Sequence, residues 1–193
     1  MTMTVDELLA RARHYWPANL DWYFRGEETP ETARRFALWE QQWRQHGKQW
    51  HALLTDLAKD LPGFSIRDAT APSDVCFRCA VRLPREGTTP LVQVVVGCLS
   101  MIAPVYSVYG LQYEVSPATG TKPSDPRLFL DALPPEMHEP ANALAKRMEA
   151  VFGASPLLAG LAGTPVPLCV NITCPPRTTL FHALISDQPD SVP

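Results

Sequence analysis

The strongest chemical signal in this chain is Cys76-Phe77-Arg78-Cys79, because two thiols three residues apart can share a zinc ion or cycle as a redox pair. Cys98, Cys169 and Cys174 could complete a set of four ligands. The surrounding pattern argues against both chemistries. Val75 to Leu83 alternates apolar and polar residues as a half-buried strand does, and side chains three apart on a strand point to opposite faces. A redox pair places its thiol at a helix N-terminus, where the dipole lowers the pKa, and this pair lies in a β pattern. The separation of Cys169 and Cys174 also departs from the commonest zinc spacing. Cys76, Cys79, Cys98, Cys169 and Cys174 are therefore expected to be small buried apolar side chains, with no metal and no cofactor. Five cysteines, an odd count, in a chain without an export signal predict reduced thiols rather than disulfides.

The histidines, His14, His46, His51, His138 and His182, include no pair three or four apart. His46 and His51 would stand about 140° apart around a helix, which does not present two imidazoles to one metal. Gly-x-Ser-x-Gly, His-Glu-x-x-His and the glycine-rich phosphate loops are all absent from the sequence. Triads are assembled by folds rather than by local motifs, so an enzyme stays open as a reading without a nominated catalytic residue.

Two groups of residues suit binding instead. All five tryptophans, Trp16, Trp22, Trp39, Trp43 and Trp50, lie in the first fifty residues. Phe36, Trp39, Trp43 and Trp50 fall at helical intervals and read as a core stripe, whereas Trp22, Tyr23 and Phe24 sit between helices and are the expected exposed part. The second group is the outer face of a β-meander, where Arg78, Arg82, Tyr106, Gln112 and Glu114 are expected to project together. Opposite charges there could simply pair across strands, but an open sheet face carrying Tyr and Arg also suits a protein partner.

The elements that must position these groups are legible in outline. Thr4 to Glu7 has capping-box spacing before a first helix ending near Trp16-Pro17, and Thr29-Pro30-Glu31 opens a long helix reaching about Asp60, with Gly47 a possible interruption. Leu61-Pro62-Gly63 ends it. Phe64 to Asp68 reads as an edge strand, and Val75 to Leu83, Leu91 to Met101 and Val105 to Val115 as a three-strand meander. A proline-rich connection spans Ser116 to Pro140, with one helical turn expected at Arg127 to Ala132. A helix follows from Ala141 to Phe152, ended by Gly153, and Leu168 to Thr173 and Thr178 to Ser186 read as closing strands. The predicted fold class is α+β: one mainly antiparallel sheet, the meander plus C-terminal strands, with two N-terminal helices and one later helix on one face. Residues 1–187 read as a single domain and 188–193 as a flexible tail.

Composition narrows function by exclusion. A formal charge of -3, with no Lys or Arg run beyond Arg34-Arg35, lacks the footprint of a nucleic-acid binder. No apolar run approaches the ~18 residues of a membrane span, and the N-terminus lacks a signal-peptide pattern, so a cytoplasmic protein is expected. The expected function is a non-catalytic protein-binding module of the immunity or inhibitor type, occluding another protein. The alternative is an enzyme or small-ligand protein with a pocket between the tryptophan-bearing helix and the sheet. A homo-oligomer joined through the Phe64 to Asp68 edge is a third expectation.

Overall fold

A computed structural model describes residues 3–21, 28–72, 74–84, 90–115 and 126–191. The two N-terminal helices begin where the sequence supplies a cap. At α1 (Val5–Ala12), the Thr4 hydroxyl accepts the Glu7 N–H while the Glu7 carboxylate accepts the Thr4 N–H at 2.8 Å. At α2 (Pro30–Asp60), Thr29 Oγ1 accepts the Thr32 N–H at 3.2 Å, and Pro30 takes a position whose N–H has no helical partner. Gly47 does not interrupt α2: the Trp43 indole lies 3.5 Å from where its Cβ would stand.

The strands are β1 (Ser65–Asp68), β2 (Cys76–Arg82), β3 (Leu91–Ser100), β4 (Val105–Glu114) and β5 (Arg127–Phe129). They lie side by side in chain order, each antiparallel to its neighbour. The two-residue β6 (Ser155–Pro156) runs parallel to the start of β4. The fold class is therefore α+β with a mostly antiparallel sheet. Where a helical turn was expected after Pro126, Arg127 to Phe129 instead pair with Gly110 to Gln112, whose ladder groups would otherwise be an open edge.

Helices cover the sheet on both faces rather than one. One face carries Phe77, Cys79, Val81, Val95, Leu99 and Tyr106 and packs against α2 and α3 (His138–Phe152). Gly97 allows α3 to approach: a Cβ there would stand 2.8 Å from Met148 Cε and 3.0 Å from Leu144 Cδ2. Arg147 joins the two helices through Asp60, its Nη2 2.6 Å from Oδ2. The opposite face carries Cys76, Ala80, Val94, Val96, Cys98, Tyr109 and Leu111. It lies under α1 and a C-terminal segment holding α4 (Ala159–Ala162) and α5 (Leu180–Leu184).

That segment differs most from expectation. Leu180 to Leu184 is helical because Thr179 and His182 form a capping box: the His182 imidazole accepts the Thr179 N–H at 3.0 Å. A short apolar run reads equally as a buried strand or a buried helix, and here the cap decides. Val170 and Thr173 form a single bridge around Asn171, whose φ of 51° is one that Asn tolerates and a strand does not. Cys169 and Cys174 close this turn as a disulfide, which corrects the expectation that all five thiols are reduced. Cys76, Cys79 and Cys98 are free and buried. The correction is local, since the bonded pair lies five residues apart in one tight turn and builds no framework.

α3 ends at Gly153, whose φ of 62° is left-handed and whose N–H bonds the Glu149 carbonyl at 2.9 Å. No atom crowds a Cβ at this position, so Gly153→Ala tests conformation alone. We expect a loss of about 1 kcal/mol in urea unfolding, the cost of holding an L-residue in that region. An unchanged midpoint would mean that the cap relaxes. No helix among the described residues is long and apolar enough to cross a membrane.

Candidate functional site

The residues expected on one outer sheet face do not share a face. Arg78 and Arg82 alternate with Phe77, Cys79 and Val81 on β2 and so point toward the C-terminal segment. Tyr106, Gln112 and Glu114 lie on the α3 side of β4. Tyr106 is buried and donates to Glu149 Oε1 at 2.7 Å, and burial followed by that carboxylate pushes its phenol well above the usual range. Arg82 is half-buried, with Nη2 3.5 Å from the Tyr113 hydroxyl. Gln112 is half-buried opposite Arg127, and Glu114 is exposed at the end of β4. Trp22, Tyr23 and Phe24 lie outside the described residues.

Arg78 departs furthest from the expected open face, being only 2% exposed. Its Nη2 stands 2.7 Å from Asp74 Oδ2, and its Nη1 donates to the Ser191 carbonyl at 3.0 Å. Tyr109, next to it, donates to the Pro189 carbonyl at 2.9 Å. Residues of the expected loose tail thus supply acceptors to two buried polar side chains. Neither the pairing nor the cover is local: Arg78 and Ser191 are 113 positions apart.

Between the tryptophan-bearing helix and the sheet the space is largely filled. Trp43 and Trp50 pack on Phe77 with ring centres 5.9 and 5.4 Å away, and Trp50, Leu53 and Leu57 are fully buried. Phe36, expected in the same stripe, is 56% exposed, since the first turns of α2 run beyond the sheet's cover. A shallow hollow of about 220 Å³ remains at the end of this layer, with Gln42 and His46 of α2, Phe77 and Arg11 on its walls. Its polar groups have internal partners: His46 Nδ1 lies 3.1 Å from Gln49 Oε1, and Arg11 donates to the Ile102 carbonyl.

A larger and more enclosed cleft, about 340 Å³, lies on the other face beside the β4 edge. Leu128 and Leu130 flank it from β5 and the following turn, Leu157 from the end of β6, and Phe181 and His182 from α5. β5 meets β4 at Gly110 to Gln112 and β6 meets it at Val105 and Tyr106, so Ser107 faces the gap between the two. Burial lowers the His182 pKa, with Asp187 opposing, which favours the neutral ring at neutral pH. Because Nδ1 accepts the Thr179 N–H, Nε2 carries the proton and serves as a hydrogen-bond donor. The walls are otherwise mostly apolar; Leu130 among them is 46% exposed, and Leu158, between the lining residues Leu157 and Ala159 in sequence, is 53% exposed.

Sequence reading missed this cleft because it is assembled from five separate stretches between Ser107 and Pro189. The signal that was present is the run of large apolar residues Leu128, Leu130, Leu157 and Leu158 inside stretches that read as connections. Among the described residues no group of three or more His, Cys, Asp or Glu could hold a metal ion. Comparison of the chain with protein-family models, curated proteins and solved structures found no match to any of them.

Proposed function

We propose that this chain is a non-catalytic protein-binding module of the immunity or inhibitor type, which occludes a partner through the β5 cleft rather than through an open sheet face. The observation that supports this is Leu130, exposed on the wall of a hollow lined by Leu128, Leu157 and Phe181, together with the exposed Leu158 that follows Leu157 in the chain. A hollow rimmed by exposed aliphatic side chains suits an apolar anchor residue of a partner, the kind of contact that dominates binding energy. The His182 donor and the Asp131 carboxylate at the edge would fix the anchor's orientation. A cytoplasmic setting belongs to the same proposal; three free core thiols favour it and the Cys169–Cys174 disulfide counts against it.

The decisive experiment is affinity purification of the tagged chain from its native cells, in parallel with Leu130→Asp/Leu158→Asp. Both side chains are exposed, so the variant should keep its unfolding midpoint, while a stoichiometric partner should be lost by tenfold or more, about the value of one buried anchor. A partner retained equally by the variant would move the interface elsewhere.

The second reading, a small-ligand protein, rests on the same cleft, since its volume lies at the lower end of the range for ligand pockets and its walls combine apolar surface with one donor. Thermal shift against a panel of small apolar carboxylates and amides separates the two. A rise abolished by Phe181→Trp, which fills the cleft, would favour this reading over the first.

A further inference from the structure

Under the C-terminal segment lies a cluster that the cleft does not use. Cys98 of β3 stands directly across from Arg78 of β2 in the sheet register, and Cys76, two residues before Arg78, is on the same face. Cys76, Cys98 and Tyr109 are all fully buried. The Cys76 thiol and the Tyr109 hydroxyl both lie close enough to Cys98 to bear on its ionisation. Arg78 is the cation beside that sulfur, with Asp74 its carboxylate counterion. Among the described residues its Nε has no hydrogen-bond partner, which leaves a buried donor of a charged group unpaired on the strand that also carries Cys76.

We propose that Cys98 is an oxidation site for peroxides, with Cys76 as its resolving thiol and the 186–191 segment as the cover that controls access. The physical argument is an asymmetry between cysteines with equal burial. Desolvation raises a thiol pKa, but at Cys98 the neighbouring Cys76 thiol and the Arg78 charge across the strands outweigh it and hold the group below its usual value. Cys79 lies on the same strand, is equally buried and points to the other face, where desolvation leaves its thiol well above the usual range. Cys98, directly across from Arg78 in the register, thus has a cation beside it, whereas Cys79 on the other face has none.

The chemistry balances without a bound group. The Cys98 thiolate sulfur attacks one peroxide oxygen and the O–O bond breaks. The departing hydroxide takes a proton from solvent, which leaves a sulfenic acid. The Cys76 sulfur then attacks the Cys98 sulfur: an S–S bond forms, the S–O bond breaks, and the hydroxyl leaves as water with the Cys76 proton. Two electrons pass from sulfur to peroxide, and an external dithiol restores the pair.

Access comes from local opening of the 186–191 segment. The cover is held by side-chain bonds rather than a ladder: Tyr109 to the Pro189 carbonyl, Arg78 to the Ser191 carbonyl, and Asn171 Nδ2 to Asp187 Oδ1 at 2.9 Å. Pro189 also borders the β5 cleft, so an occupant of that cleft would bear on the same cover.

The test exposes the folded full-length chain to hydrogen peroxide, traps sulfenic acid with dimedone, and maps the products by peptide mass spectrometry. Cys98 should react at least about tenfold faster than Cys79, the ratio for one pKa unit of thiolate availability. Cys76→Ala should shift the product from a Cys76–Cys98 disulfide to trapped sulfenic acid. Asp187→Ala, which loosens the cover without touching the thiols, should speed Cys98 oxidation about two- to tenfold and leave Cys79 unchanged. Equal rates at Cys98 and Cys79, or no reaction at Cys98 even in Asp187→Ala, would overturn the proposal.

Discussion

Trp50→Ala will lose about 3–5 kcal/mol of unfolding free energy, and Trp50→Phe only about 1–2 kcal/mol. The indole is fully buried between α2 and the sheet, with its centre 5.4 Å from Phe77 and 6.5 Å from Phe152. Removing it opens a cavity where three elements meet: α2 carries Trp50, β2 carries Phe77 and α3 carries Phe152. Phe restores most of that contact. It also removes an indole N–H that has no hydrogen-bond partner among the described residues, and an unpaired buried donor is itself destabilising by about 1–3 kcal/mol. Urea denaturation at pH 7 measures both variants. If Phe proves as costly as Ala, the N–H has a partner after all and the ring's size is not what matters.

The α2 stripe that carries Trp50 was readable because helical periodicity is local. Thr29-Pro30 marks the start, Leu61-Pro62-Gly63 the end, and the apolar intervals between them pick out Trp50, Leu53 and Leu57 as core. Strand alternation was legible for the same reason, and Cys76 and Cys79 do fall on opposite faces. What failed was the inference from polar type to exposure. Alternation says that two faces differ, and it does not say that the more polar face is open to water. On β2 the face carrying Arg78 also carries Cys76 and Ala80, small residues that suit close cover better than solvent. The cover itself comes from a segment more than a hundred positions away, and nothing local to either stretch announces the other. The β5 cleft was illegible on the same grounds, since its walls belong to a gap left by two short strands along one edge.

Arg78→Met will destabilise the fold by about 3–5 kcal/mol at pH 7, the usual cost of breaking a buried ion pair from one side. The loss arises less from the missing guanidinium than from the stranded Asp74 carboxylate, and the two contributions separate with pH. Burial is the largest influence on Asp74 and raises its pKa above 3.8, with Asp187 adding to the rise while Arg78 and Ser186 oppose it. An acid whose folded pKa is raised binds its proton more tightly in the folded chain, so its penalty is absent below the unfolded pKa, grows as pH rises from there to the folded pKa, and is complete above it. Without Arg78 the folded pKa moves higher still, and the variant's deficit should shrink between pH 7 and pH 4 by more than about 1 kcal/mol, the equivalent of one pKa unit. Adding Asp74→Asn to Arg78→Met should then recover stability at pH 7 and flatten the pH dependence. A deficit that stays constant with pH and survives the Asn substitution would assign the loss to packing around the guanidinium. In that case the charge on Arg78 would not be what holds Asp74 in the core.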